Sequence, residues 1–300
     1  MWTAGDWKDY EVIDASGGEK LERWGSYILL RPDPQVIWNT PKEHPSWKKL
    51  NGHYHRSAKG GGEWEFFDLP DEWQISYRNL KFNLKPFSFK HTGLFPEQAV
   101  NWDWCSNIIK KALKSGSYGP ERPFKVLNLF AYTGGATVSA AAAGAHVVHV
   151  DASKGMVGWA RENAVSSGLS DAPIRWLVDD CVKFVEREIR RGNKYDGIIM
   201  DPPSYGRGPK GEIWKIEDSV YPFIRTCTEL LSDDAAFLLI NSYTTGLQAS
   251  VLSYMLGSLI EKRRGGFVHA DEIGLPVSSN GLTLPCGASG RWVSSDFNNA

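Results

Sequence analysis

Apolar positions along the chain change rhythm once. From Tyr10 to Pro86 they fall in short runs punctuated by glycine and proline: YEVIDA, then Gly17-Gly18, then ERWGSYILL, with EWEFFDL following Gly60-Gly61-Gly62. Short runs of β-branched and aromatic residues around glycine turns predict hairpins, and so a small antiparallel β domain over residues 1–90. The segment HTGLFPEQAVNWDWCSNIIKKALKSG then passes from a turn-forming stretch with Gly93 and Pro96 into apolar residues three and four apart, the period of a helix. A junction near residue 90 and a second domain over residues 91–300 follow from that change.

Beyond the junction, strand-like and helix-like runs alternate: FKVLNLF, ATVSAAAAGA, HVVHVD, KGMVGWARENAVSSGL, IRWLV, DCVKFVEREIRRG and KYDGIIM. A helix around Pro222 to Leu231, the strand AAFLLINS, a helix around Gln248 to Arg263 and strand-like pieces near Phe267 and Leu282 complete the pattern. Apolar strands alternating with helices predict an α/β domain, a mainly parallel sheet covered by helices on both faces. No internal repeat or low-complexity tract interrupts it.

Composition excludes more than it selects. Three hundred residues suit two domains, and 42% hydrophobic with 23% charged residues is ordinary for a globular protein. No apolar run approaches the roughly 18 to 20 residues of a membrane span. The N-terminus lacks the pattern of a secretory signal, so a soluble, cytoplasmic protein is expected. Cys105, Cys181, Cys227 and Cys286 are widely spaced without a Cys-x-x-Cys pair, which favours reduced thiols over disulfides or structural zinc. His53 and His55 sit at strand spacing with no third ligand evident, and no metal is expected; His146 and His149 are read as packed or edge residues. A net charge of −1 offers no bulk attraction to polyanions. Trp24, Trp38, Trp47, Trp64 and Trp73 suit either a base-stacking platform or a core, and the core is expected.

In an open α/β sheet, ligands lie at the carboxyl ends of the strands. The first such end here is Asn128-Leu129-Phe130-Ala131-Tyr132-Thr133-Gly134-Gly135, where two glycines permit either close ligand approach or tight packing. The second ends in Asp151, placed as a carboxylate that accepts hydrogen bonds from ribose hydroxyls. The third ends in Asp179-Asp180, which suits an adenine amino group or a helix cap. The fourth runs into Asp201-Pro202-Pro203-Ser204-Tyr205. Two prolines give a rigid, extended backbone without amide donors beside a carboxylate and an aromatic ring. Such a turn holds a planar heterocycle with its nucleophilic atom toward a methyl donor.

With these motifs in place, LNLFAYTGGATVSAAAAGAHVVHVD, WARENA, VDDC and KYDGIIMDPPSYG resemble the bacterial class I, Rossmann-like methyltransferases that modify large-subunit ribosomal RNA. His91-Thr92-Gly93-Leu94-Phe95-Pro96-Glu97-Gln98 is similar to the segment those proteins carry before their catalytic domain. The resemblance covers residue 88 to the end and is looser before that, and no counterpart of the RNA-binding PUA module is seen. It implies S-adenosylmethionine held by Phe130, Tyr132, Thr133, Gly134 and Gly135, its ribose by Asp151 and its adenine by Asp180, with Gln98 also lining the donor pocket. It implies RNA on the acceptor side, against Asp201, Pro202, Pro203 and Tyr205.

The chain departs from one branch of that family. Methylation of cytosine C5 requires a cysteine thiolate that adds to the ring. The stretch after the fifth strand reads Leu239-Ile240-Asn241-Ser242-Tyr243, and Ser204 stands where another C5 class has cysteine. Cys181 and Cys286 are the remaining candidates, and structural thiols are expected at both. A base nitrogen already has a lone pair and needs mainly orientation, so N-methylation is expected. Methylation of cytosine C5, a small-molecule acceptor and a protein acceptor stay open. An NAD-dependent oxidoreductase is the rival enzyme class, but the glycines lack the G-x-G-x-x-G spacing; intact residues at four strand ends argue against a catalytically silent RNA-binding protein. The basic loop from Gly206 to Lys215 suits either a phosphate clamp or a solvated surface, and replacing Arg207 and Lys210 together tests the clamp.

Overall fold

The computed structural model describes residues 1–57, 61–87, 90–207 and 213–298. The chain divides into two units, Met1–Val100 with Ile273–Cys286, and Asn101–Glu272 with Gly287–Ala300. The division falls at Val100 instead of near residue 90, and the first unit takes in a C-terminal segment that no local pattern marks.

The first unit holds strands β1 (Trp2–Thr3), β2 (Tyr10–Ser16), β3 (Glu19–Trp24), β4 (Tyr27–Pro32), β5 (Gly52–Arg56), β6 (Gly62–Phe66), β7 (Trp73–Tyr77) and β8 (Leu80–Leu84). Strands β2 to β6 form one sheet in sequence order, and β7 with β8 a separate hairpin. ERWGSYILL, expected as one strand, is two: the chain turns at Gly25, φ 66°, and Trp24 pairs with Tyr27. The sheet is antiparallel except between β4 and β5, which run parallel. Trp24 and Trp73 are buried in line with a core role, whereas Trp38, Trp47 and Trp64 keep part of their surface in solvent. Glu22, fully buried, accepts hydrogen bonds from Arg31 Nε (2.6 Å), Arg31 Nη2 (2.8 Å) and Tyr10 OH (2.7 Å).

The second unit follows the alternation: α1 (Ala99–Lys114, entering from the first unit), β9 (Lys125–Leu129), α2 (Gly135–Ala142), β10 (His146–Asp151), α3 (Lys154–Ser166), β11 (Ile174–Val178), α4 (Cys181–Arg190) and β12 (Gly197–Met200). Next come a short hairpin of β13 (Tyr205–Arg207) and β14 (Ile213–Lys215), then α5 (Ile216–Thr228), β15 (Phe237–Ser242) and α6 (Ala249–Leu256). Strands β16 (Phe267–Pro276) and β17 (Thr283–Val293) each belong partly to both units.

The sheet runs β17-β15-β12-β9-β10-β11, parallel from β15 to β11, with β17 antiparallel to β15. Side chains alternate between two cores. Leu127, Leu129, Ile198, Met200, Leu238 and Ile240 pack with residues of α4, α5 and α6, while Val126, Ile199, Phe237 and Leu239 pack with residues of α1 and α2. Burial on both faces explains why these strands are continuous apolar runs. The chain proceeds from β9 outward through β10 to β11, then returns to β12 on the other side of β9. Ligands of such sheets bind at a reversal of this kind, which here falls at the carboxyl ends of β9 and β12.

Candidate functional site

The loop after β9 is held in an unusual backbone form. Phe130 (φ 55°) and Tyr132 (φ 50°) occupy the left-handed region, which costs a side-chain-bearing residue of the order of 1 kcal/mol and persists only when the surroundings enforce it. Those surroundings are visible. Tyr132 N donates to Asp151 Oδ2 at 2.8 Å, Ala131 N to Val150 O at 3.1 Å, and Asn163 Nδ2 to Thr133 O at 2.9 Å. The two glycines serve packing: a Cβ on Gly134 would stand 2.8 Å from Ala160 Cβ, and one on Gly135 2.6 Å from the Trp102 ring. Gly134, φ 80°, also caps α2.

Asp151 lies at the end of β10, its Oδ1 accepting from Ser153 N at 2.8 Å. Burial raises its carboxyl above the usual range, and the N–H groups of Ser153 and Tyr132 oppose that. At the end of β11 the two carboxylates divide their tasks. Asp179 accepts from Asp180 N at 2.9 Å and pairs with Arg187. Asp180 caps α4, Oδ1 accepting from Lys183 N at 2.9 Å, and its Oδ2 has no partner among the described residues. Cys181 is a structural thiol: its buried Sγ accepts from Phe130 N (3.3 Å) and approaches Val150 O (3.8 Å), tying the loop to β10.

After β12, Asp201 N donates to Leu129 O at 3.4 Å, which sets the fourth strand end beside the first. Pro202 is buried, while Pro203, Ser204 and Tyr205 face solvent, Tyr205 with half its surface. The hairpin of β13 and β14 secures this turn. Trp214 Nε1 donates to Pro203 O (2.7 Å), and its ring packs on Phe130 and Phe223 with centroids 5.3 and 5.6 Å away. Ser204 Oγ and Thr244 Oγ1 share a hydrogen bond of 2.5 Å. Residues 208–212, including Lys210, and the side chain of Arg207 lie outside the described residues.

Four side chains that sequence reasoning missed stand behind Asp201. Asn241 Nδ2 donates to Asp201 Oδ1 (3.1 Å), Ser289 Oγ to Asn241 Oδ1 (2.7 Å), and Asn101 Nδ2 to Ser289 Oγ (2.9 Å). Arg291 donates to Asn101 Oδ1 through Nε (3.1 Å) and Nη2 (2.7 Å). Asn241 and Ser289 face each other in the β15–β17 register, as do Leu239 and Arg291. The available signal was polarity inside apolar strands: an asparagine closing FLLIN and an arginine within SGRWV.

Phe130, Tyr132, Thr133, Gly134, Gly135, Asp151, Asp180, Asp201, Pro202, Pro203 and Tyr205 all belong to the second unit, at or next to strand ends. Gln98 belongs to the first, in the short 3-10 turn Pro96–Gln98. His149 is buried, held near 3 by burial and therefore neutral, and bonded to Thr137 Oγ1 at 2.9 Å. His53 and His55 do have a third potential ligand, Glu65, opposite His53 across the ladder, with ligand atoms within 4.8 Å of one another. Each imidazole is already engaged, however: His55 with Glu65 (2.8 Å) on the neighbouring strand and His53 with Glu19 (3.0 Å) two strands away.

Comparison with known proteins bears on this site. A family model described as S-adenosylmethionine-dependent methyltransferase matches residues 42–247. The crystal structure of the SAM-dependent methyltransferase from Agrobacterium tumefaciens superposes with a TM-score of 0.89 at 36% identity, over 97% of this chain and 92% of that one. Among curated proteins, the chain is 28% identical over 207 residues to ribosomal RNA large subunit methyltransferase K/L of Cellvibrio japonicus, covering 67% of this chain and 25% of that protein. It is 41% identical over 179 residues to the K/L protein of Chromohalobacter salexigens, covering 59% and 22%. The matched segments thus span about a quarter of the length of those relatives.

Proposed function

The chain belongs to the S-adenosylmethionine-dependent methyltransferase family, and from that premise we propose that it methylates a base nitrogen of RNA, with large-subunit ribosomal RNA as acceptor. Family membership removes the NAD-dependent oxidoreductase alternative. The observation that carries the nitrogen assignment is the acceptor turn itself: a braced Asp201 carboxylate and the half-exposed Tyr205 ring flank a proline pair that offers no amide donor.

The thiols support the same choice. Cys105, Cys181 and Cys227 are buried, and burial raises each above the usual thiol range, Cys105 to about 12; Cys286 is raised by the same cause. Burial of this kind disfavours the thiolate that C5 chemistry needs. Support for RNA comes from the relatives, named as ribosomal RNA methyltransferases. Among the described residues, no helix is long and apolar enough to cross a membrane. The cytoplasm is proposed as the protein's location, in keeping with the ribosomal RNA acceptor proposed above.

The donor side fits an adenosyl ligand. Asp151 presents a partly buried carboxylate for ribose hydroxyls, and Asp180 Oδ2, without a partner among the described residues, suits the adenine amine. Phe130, Tyr132, Thr133, Gly134 and Gly135 form the strained loop beneath. When bound, S-adenosylmethionine supplies an electrophilic methyl group on a sulfonium sulfur. Asp201 accepts an N–H of the base amine, directs the nitrogen lone pair and takes the proton the amine gives up on methylation, while Tyr205 supports the ring and the Pro202-Pro203 backbone keeps both in place.

The test is incubation of the purified protein with methyl-tritiated S-adenosylmethionine and, separately, 23S rRNA, 16S rRNA and a cell protein fraction, with digestion of RNA to nucleosides. Label in an N-methylated nucleoside of 23S rRNA, absent with Asp201→Ala, is expected. Label on ring carbon, in protein, or in no RNA would overturn the proposal.

A further inference from the structure

We propose that Arg291, Asn101, Ser289 and Asn241 are positioning residues: together they form a one-way hydrogen-bond relay that fixes the Asp201 carboxylate for the acceptor amine. This rests on the methyl-transfer reading above and adds residues to it that no motif contains.

The direction of the relay is forced from its ends. A guanidinium only donates, so Asn101 must turn its Oδ1 toward Arg291 and its Nδ2 toward Ser289. Ser289 Oγ, having accepted from Asn101, sends its single proton to Asn241 Oδ1, and Asn241 must then point Nδ2 at Asp201. The carboxylate at the far end accepts. No amide can flip without breaking two bonds, so a cation and an anion at opposite ends select one arrangement of every group between them. Bonds aligned this way polarise one another, by roughly 10–30% per bond.

Burial makes the arrangement costly to disturb. Asn101, Ser289, Asn241 and Arg291 are each at most 6% exposed. Arg291 lies 5.0 Å from the Trp104 ring centroid, and although burial lowers it to about 10, it keeps its charge at neutral pH. Packing alone would be served as well by apolar side chains of the same shape. Instead, polar groups from α1, β17 and β15 are linked in series, and the series ends on the one carboxylate that follows β12.

The test reads the relay directly and needs no acceptor. In protein labelled with 15N, Asp201→Asn removes the anion at the partly exposed end, and the side-chain resonances of Asn241, Asn101 and Arg291 Nε are compared with those of the parent. The expected result is a shift at all three, decreasing along the chain. A change confined to Asn241 overturns the relay, whatever the acceptor proves to be. The companion variant Ser289→Ala cuts the middle link. S-adenosylmethionine affinity is expected to hold while kcat on 23S rRNA falls about 10- to 100-fold, with recovery in Ser289→Thr. Equal loss of donor affinity and turnover, without that recovery, would make Ser289 merely structural. If the parent enzyme methylates no RNA, the function proposed above fails, while the resonance test still decides the relay.

Discussion

The indole N–H of Trp214 donates to the carbonyl oxygen of Pro203 at 2.7 Å, so the turn that carries the acceptor-side residues is held by the hairpin that follows it. The same indole packs on Phe130, the first residue of the strained loop after β9. Trp214→Phe keeps the ring contact and removes the donor. Its expected effect is on the acceptor side alone, with turnover lowered about 10-fold or more and affinity for S-adenosylmethionine unchanged. Trp214→Ala, which removes both, lowers both. Calorimetry for the donor and steady-state rates on 23S rRNA separate the outcomes; a donor-affinity loss in Trp214→Phe contradicts this assignment.

Asp151 gives donor binding a definite pH dependence. Its carboxyl is raised by burial, so folding disfavours the ionised form. The group therefore subtracts from stability; the deficit is absent below the unfolded pKa and complete above the folded one. Ribose hydroxyls donate to the ionised form, so donor affinity should rise as pH climbs through the raised pKa and level off above it. Asp151→Asn should flatten that profile and weaken binding by about 1.5–3 kcal/mol, the usual worth of a hydrogen bond to a charged group. Titrations that start within the ordinary carboxyl range and climb to neutral pH decide it: parallel profiles for parent and variant would remove Asp151 from the ribose.

The strand ends were legible because local chemistry marks them: apolar runs stop at Asp151, Asp180 and Asp201, and a parallel sheet gathers such stops at one edge. What was not legible depends on register between distant segments. Asn101, Asn241, Ser289 and Arg291 come from three elements, and only the pairing of β15 with β17 sets Asn241 opposite Ser289. The turn at Gly25 was hidden because the apolar rhythm of ERWGSYILL continues across it. The roles of Gly134 and Gly135 were ambiguous for another reason. A strand-to-helix Gly-Gly looks the same whether a ligand or a tryptophan approaches, and here Trp102 and Ala160 do.

That packing role predicts a contrast between glycines. In Gly135→Ala the new Cβ stands 2.6 Å from a ring of Trp102 that is itself buried and has little room to move, so α2 must shift. The expected cost is about 1–3 kcal/mol. Gly158→Ala, within α3, meets nothing within 4 Å and should stabilise by roughly 0.5–1 kcal/mol through helix propensity. Thermal unfolding of the two variants side by side tests the assignment. Equal melting temperatures would mean that the close approach at Gly135 is relieved without loss.

Stability in acid should turn on Glu22. Burial by itself raises this carboxyl, but Arg31 and Lys20 outweigh burial and hold it at about 2, below its ordinary 4.5. A depressed acid contributes stability that is complete above the unfolded value and is lost as pH falls through the folded one. Glu22→Gln keeps the shape and one acceptor but leaves the Arg31 guanidinium without the carboxylate that takes both its Nε and Nη2 bonds. Removing one partner of a buried pair typically costs about 3–5 kcal/mol, and that loss is expected at pH 7. Below pH 4.5 the parent surrenders the same contribution, so the two stability curves should converge toward pH 2. Denaturant titrations at pH 7, 4 and 2.5 measure the gap; a gap of constant size would show that the charge of Glu22 is not what stabilises the first unit.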